Sequence, residues 1–234
     1  RHDTVTYGMH ESAQVRATVV RADTGSFHFD VERDGEVLTS VHLPLRGEHN
    51  VLNATGALAM AVELGIDPQV AANALAKFGG VARRFDVRGH DRGATFVDDY
   101  AHLPTEIDAV LRAARDSGDG WSRTVAVFQP NRYNRMAEMW QEYANAFRSA
   151  DVVVLTDIYA SGTQPIPGVT GKLVLNAVLD ANPKTHVVWL PRREDLIDYL
   201  AGHVADGDVC ISMGCGDIAS LPDEVLAARR GAPG

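Results

Sequence analysis

Two kinds of periodicity divide the chain. From Val5 to Leu45 runs appear in which every second residue is apolar or β-favouring (Val15, Ala17, Val19; Phe27, Phe29, Val31; Val37, Thr39, Val41), interrupted at Asp23-Thr24-Gly25 and Asp34-Gly35. Alternation with such breaks predicts a small antiparallel meander. The spacing then becomes helical. Val51, Ala54, Leu58, Ala61 and Val62 share one side of a helix that starts at Asn50, and Ala71, Ala74, Leu75 and Phe78 share one side of a second over residues 67–78. Gly79-Gly80 ends that helix and marks a domain boundary. Beyond it, strand, loop and helix repeat. Strands are predicted near residues 84–87, 94–97, 124–128, 152–156, 186–190 and 208–211, and helices near 104–116, 136–149, 172–179, 193–203 and 223–228. Such alternation specifies an α/β fold, a mostly parallel sheet with helices on both faces. The hairpin signal Asp91-Arg92-Gly93 makes the first of these strands an antiparallel edge.

Composition narrows the field. The chain has 234 residues, a 45% hydrophobic share and a formal net charge of -9, which suits ordinary globular material and disfavours sequence-independent nucleic-acid binding. Cys210 and Cys215 are the only cysteines, too few for a disulfide framework or an all-cysteine zinc site, and a reducing cytoplasm fits them. No apolar run approaches the ~20 residues of a membrane helix, so no membrane insertion is expected. The chain does not begin with Met and its first strands read as mid-fold, so a piece of a longer protein is expected.

The chemistry gathers where strands end. VDDYAHLPTEI, residues 97–107, sets paired acids, a tyrosine and a histidine between a strand and a helix that Pro104 can open. Its plain alternative is a helix cap with solvated acids. In FQPNRYNR, Arg132 and Arg135 stand three apart where a helix begins, so two guanidinium groups and free backbone N–H groups could face one anion. Arginines that merely solvate a helix face are the alternative. After the 152–156 strand, Asp157 precedes a long loop, IYASGTQPIPGVTG, of a length usually tied to function. Gly168 to Lys172 lacks the spacing of a phosphate loop, and the GxG of MGCGDI is weak evidence alone. Asn50 and Asn53 share a helix face; capping accounts for the first better than for the second. No nucleophile signature, dinucleotide fingerprint or metal-spaced His pair is present. What remains is an anion-handling surface without its own nucleophile, suited to phosphoryl or acyl-phosphate transfer driven by positioning and electrostatics.

Four segments, GEHNVLNA, GVARRFD, VDDYAHLPTEI and VFQPNRYNR, together resemble the Mur ligases, and within them the branch that joins L-alanine to UDP-N-acetylmuramate. The resemblance covers essentially the whole chain. It implies that residues 1–80 are the last part of a central ATP-binding domain whose P-loop is missing, and that 81–234 form a C-terminal Rossmann-like domain. It further implies an ATP-dependent, ADP-forming acid–amino-acid ligase of peptidoglycan precursor synthesis in the cytoplasm. Its cofactors would be ATP and Mg²⁺, with the metal ligands outside this chain, and its partner the missing N-terminal part of the same enzyme. The chain alone is then expected to be inactive.

Position by position, the resemblance implies that Asn50 and Asn53 contact the nucleotide on its adenine side. Arg84 would reach ATP from the interdomain hinge and Asp99 would hold the ribose, with Asp98 structural. Arg132 and Arg135, with Asn131 and His102 nearby, would hold the carboxylate of the incoming amino acid. Two departures stand out: Leu103 replaces the usual second histidine after His102, and Asn131 stands where the family usually has histidine. Asn can donate a hydrogen bond but carries no charge, which makes weaker selection for alanine an open hypothesis. The related muropeptide-recycling ligase, which adds a tripeptide, is the alternative within the family; its pattern lacks the FQPxRY segment found at residues 128–133. A non-catalytic anion- or nucleotide-binding Rossmann-like module is the alternative outside it.

Overall fold

The computed structural model describes residues 4–231 and resolves the chain into two compact units. One runs up to Gly80 and includes Asp116–Asp119; the other comprises Val81–Arg115 and the chain from Gly120 onward.

In the first unit, β2 (Val15–Asp23), β3 (Ser26–Arg33) and β4 (Glu36–Leu43) form the antiparallel meander that the alternation predicts, and a two-residue β1 (Tyr7–Gly8) runs parallel to β2 at the edge. Residues of one parity, Val15, Ala17, Phe29, Val31, Val41 and Leu43, are buried against Val51, Ala54, Leu58 and Ala59 of α1 (Glu48–Glu63) and Ala72 of α2 (Pro68–Leu75). α1 begins two residues before Asn50. Gly47 stands at its cap position without a side-chain bond, while the Asn50 amide donates to the Arg46 carbonyl at 2.8 Å, so Asn50 ties the first turn from inside it. Asp67 caps α2 by accepting the N–H groups of Gln69 and Val70. That helix stops at Leu75 because Phe78, expected on its core face, is exposed and has no core to reach.

The second unit is a doubly wound sheet in the order β5-β6-β10-β7-β8-β9. Its strands are β5 (Asp86–Asp91), β6 (Ala94–Asp99), β7 (Arg123–Phe128), β8 (Val152–Leu155), β9 (His186–Trp189) and β10 (Asp208–Met213); only β5 is antiparallel, on the edge. Alternate residues of each strand feed opposite cores. Val97, Ala126, Phe128, Val153, Leu155, Ile211 and Met213 pack with α3 (Pro104–Arg115), α4 (Tyr133–Met139) and α5 (Lys172–Ala181). Phe96, Val125, Val127, Val152, Val154 and Cys210 pack with α6 (Arg193–His203) and α7 (Leu221–Gly231). Burial on both faces accounts for the apolar runs of these strands. Because β10 lies between β6 and β7, the chain passes over it after β6 and returns to it after β9, which opens crevices at the strand carboxyl ends.

One predicted helix differs. Residues 136–149 read as continuous, yet the α-helix ends at Met139 and a 3-10 turn spans Trp140–Asn145. Met139 leaves helical geometry at φ -123 and ψ 13, and the tighter turn places Tyr143 and Phe147 against Phe128, with ring centroids at 5.4 and 5.6 Å. Burying each aromatic ring there is worth about 1.5–3 kcal/mol, more than one regular helical hydrogen bond returns.

Candidate active site

At the end of β6 the paired aspartates point to opposite sides of the strand, as neighbours must. Asp98 is 0% exposed, and its Oδ2 accepts the Arg83 Nε–H at 2.9 Å while Arg83 Nη2 donates to the Gly214 carbonyl at 2.8 Å. Asp98 Oδ1 is the one buried side-chain oxygen or nitrogen without a hydrogen-bond partner among the described residues. Asp99 is 2% exposed and accepts the Phe85 N–H on Oδ2 and the Ala101 N–H on Oδ1, each at 2.7 Å. The Tyr100 N–H donates to the Arg83 carbonyl at 2.7 Å. Burial raises the pKa of both carboxyls; the Arg83 guanidinium opposes this at Asp98, and the backbone N–H groups of Phe85 and Ala101 oppose it at Asp99.

Together these bonds clamp the segment Arg83–Phe85. Arg83 and Phe85 both hold positive φ, 63 and 47, a conformation that costs an L-residue roughly 1–2 kcal/mol. Between them, Arg84 places its guanidinium carbon 5.6 Å from the Tyr100 ring centroid, and its charge acts on the Asp99 carboxyl, lowering that pKa against burial, without a hydrogen bond to the guanidinium among the described residues. In this structure, then, Asp99 engages protein backbone with both oxygens, and Arg84 acts on it by charge alone.

Past β6, His102 and Glu106 are joined. Glu106 Oε2 accepts the N–H groups of His102 at 2.9 Å and Leu103 at 3.2 Å, the returning half of a capping box at the start of α3. His102 Nδ1 lies 3.0 Å from the Tyr100 carbonyl and 3.3 Å from Glu106 Oε2. From the other side the buried Tyr143 hydroxyl donates to the His102 carbonyl at 2.8 Å, and the charges of Arg135, Glu142 and Glu106 act on that phenol. Burial raises the pKa of the phenol and keeps it a neutral donor. Tyr143 thus holds the His102 backbone of the β6 end, and the Arg135 charge of the β7 end acts on the same phenol. Sequence reasoning missed it, because its only signal was a tyrosine in a helix read as regular.

At the end of β7, Asn131 is 2% exposed and its Oδ1 accepts Arg135 Nη1 at 2.7 Å. Asn131 therefore positions Arg135 rather than reaching outward. Arg132 holds φ 64, and its guanidinium has no partner among the described residues. The free helix-start N–H groups expected here are engaged: Arg132 N–H donates to the Tyr159 carbonyl at 2.9 Å and Tyr133 N–H to Thr163 Oγ1 at 3.0 Å. Tyr159 N–H in turn donates to the Pro130 carbonyl, so the loops after β7 and β8 are stitched by backbone.

The GxG after β10 has a structural task. A Cβ on Gly214, which holds φ 148, would come within 3.0 Å of the Gln129 carbonyl, and one on Gly216 would meet the Tyr159 ring at 2.4 Å. Gln129 donates to Asp217 at 2.8 Å. Beside these groups a cavity of about 460 Å³ opens at the ends of β7 and β8, lined among others by Thr156, Asp157, Tyr159, Arg193 and Asp217. In the first unit, Asn53 Nδ2 lies 3.5 Å from Asn50 Oδ1, so the two amides meet on the exposed start of α1.

Residues 83–216 match the family model described as Mur ligase, glutamate ligase domain. The chain is 43% identical over 216 residues to the UDP-N-acetylmuramate–L-alanine ligase of Pelobacter propionicus, covering 92% of this chain and 46% of that protein. It is 40% identical over 222 residues to the ligase of the same name from Rubrobacter xylanophilus, covering 95% of this chain and 48% of that protein. The crystal structure of the UDP-N-acetylmuramate–alanine ligase of Thermotoga maritima superposes with a TM-score of 0.82 at 27% identity, over 98% of this chain and 48% of that one. The chain spans about half the length of these relatives.

Proposed function

Because the chain belongs to the Mur ligase family, we propose that it forms the amino-acid-receiving part of an enzyme that ligates L-alanine to UDP-N-acetylmuramate at the expense of ATP. The observation that carries this reading is the 43% identity, over nearly the whole chain, to a relative bearing that name. Two guanidinium groups without hydrogen bonds among the described residues fit it: Arg84 suits a polyphosphate and Arg132 an amino-acid carboxylate, since guanidinium groups bind both in a two-pronged way.

In this scheme Asn50 and Asn53 contact the adenine side of ATP. Arg84 meets its phosphates, and Asp99, nominated for the ribose, acts through the clamped segment that carries Arg84. Arg132 and Arg135 take the carboxylate of L-alanine, with Asn131 fixing Arg135 and His102 alongside. ATP supplies the phosphoryl group that makes the muramoyl carboxylate an acyl phosphate, ADP leaves, and Mg²⁺ is held by ligands outside this chain. The alanine amine displaces phosphate, and exclusion of water protects the acyl phosphate. The site of action is the cytoplasm.

The test joins this chain to the upstream half its relatives possess and follows phosphate release. Release that requires both UDP-N-acetylmuramate and L-alanine is expected. Release indifferent to the amino acid would overturn the reading in favour of a nucleotide-binding module.

A further inference from the structure

We propose that His102 is the general base that removes the proton from the ammonium group of the incoming amino acid. The inference rests on the ligase reading above and deepens it, because that reading places His102 only beside the carboxylate.

An amino acid arrives as an ammonium ion, which has no lone pair and cannot attack a carbonyl. A group near the amino-acid site must take one N–H proton before or as the C–N bond forms. The geometry of His102 selects its free nitrogen for that task. Nδ1 faces two acceptors, the Tyr100 carbonyl at 3.0 Å and Glu106 Oε2 at 3.3 Å. A carbonyl cannot donate, so Nδ1 carries hydrogen and the neutral ring has its lone pair on Nε2. Nε2 has no partner among the described residues. It also reaches solvent, since among the described residues Asp98 Oδ1 is the one buried side-chain oxygen or nitrogen left without a partner. The side chain is 17% exposed, so the ring is held while one edge stays open.

The groups around the imidazole suit a base. Glu106 from α3 holds the Nδ1 side of the ring at 3.3 Å. The Tyr100 ring packs edge-on at 5.3 Å, and the Tyr143 hydroxyl fixes the His102 backbone. Arg135, whose charge acts on that phenol together with those of Glu142 and Glu106, belongs to the proposed carboxylate site. The step balances: an N–H bond of the ammonium breaks and its proton passes to Nε2. The freed electron pair forms the C–N bond, the C–O bond to phosphate breaks and its own pair leaves with phosphate, which takes up the second N–H proton as the amide forms.

Two measurements test this. On the chain itself, ¹⁵N NMR of histidine should find the neutral His102 ring protonated at Nδ1 and bare at Nε2; the opposite tautomer overturns the assignment. In the ligation-competent protein, His102→Asn keeps a donor where Nδ1 sits and deletes Nε2. It should lower kcat by about 10²–10⁴-fold, abolish the acidic limb of the pH profile, leave the KM for ATP unchanged, and recover partly with added imidazole. A raised KM for alanine with kcat and pH profile intact would make His102 a carboxylate contact and overturn the base. Parent protein whose phosphate release ignores alanine would fail the ligase reading itself, an outcome separate from either result on His102.

Discussion

The ends of β6 and β7 lie two positions apart in one sheet and use their charges in opposite ways. At β6 both acids are buried and turned inward, Asp98 on Arg83 and Asp99 on two backbone N–H groups. At β7 one arginine is steadied by an uncharged amide and the other has no partner among the described residues. The difference teaches that the negative charges here build the edge, with Arg83 among them, while the guanidinium groups of Arg84 and Arg132 are left without hydrogen bonds among the described residues. A carboxylate at the end of a strand is well suited to collect backbone N–H groups, whereas a guanidinium can only donate and remains available for an anion.

The strongest way to break that contrast is Asp99→Ala. If Asp99 is a clamp, two buried N–H groups lose their acceptor at about 1–3 kcal/mol each, and urea denaturation of the chain should lose roughly 4 kcal/mol. A stable variant with weakened ATP use would move Asp99 from the scaffold to the ligand. Next comes Arg132→Ala, expected to raise the KM for alanine about 100-fold, or ~2.7 kcal/mol, with little change for ATP; equal effects on both would erase the distinction between the two strand ends. Tyr143→Phe should cost about 1 kcal/mol of stability and leave the tautomer of His102 as it was.

The smallest effect concerns pH. Burial raises the folded-state pKa of Asp98, so the native protein keeps that proton to higher pH than the unfolded chain, and this contribution to stability is lost as pH rises through the folded value. Asp98→Asn has no such loss. Its urea midpoint, compared with the parent, should therefore shift in the variant's favour as pH rises from the ordinary carboxylate range; parallel curves would show Asp98 unperturbed.

Much of the fold was legible in residue spacing, because burial on one or two faces writes a period of two or 3.6 into the chain. The doubly wound unit, its antiparallel edge and the placement of Asp98–His102 and Arg132–Arg135 at strand ends all follow from that. What was not legible depends on partners distant in sequence. The irregular turn at Trp140–Asn145 exists because of Phe128 and His102, and the engagement of Asp99 by Phe85 exists because β5 folds back on β6. Asn50 was misplaced for a local reason, an amide bonding back to Arg46 one turn earlier. Likewise, the helix start at Tyr133 looked open until Thr163 of the next loop closed it.

The backbone stitching between the β7 and β8 loops gives Arg132 an indirect kind of adjustment. Its N–H hangs on the Tyr159 carbonyl, and Tyr159 hangs on Pro130, so the arginine rides on the backbone path of a neighbouring loop, whose Thr163 hydroxyl holds the next N–H along. Lengthening, shortening or rewriting residues 160–170 would re-aim the guanidinium while every residue of FQPNRYNR stayed the same. Variation in that loop is thus a tuning screw for an invariant tool, and a search for altered substrate choice in this protein would do well to begin there.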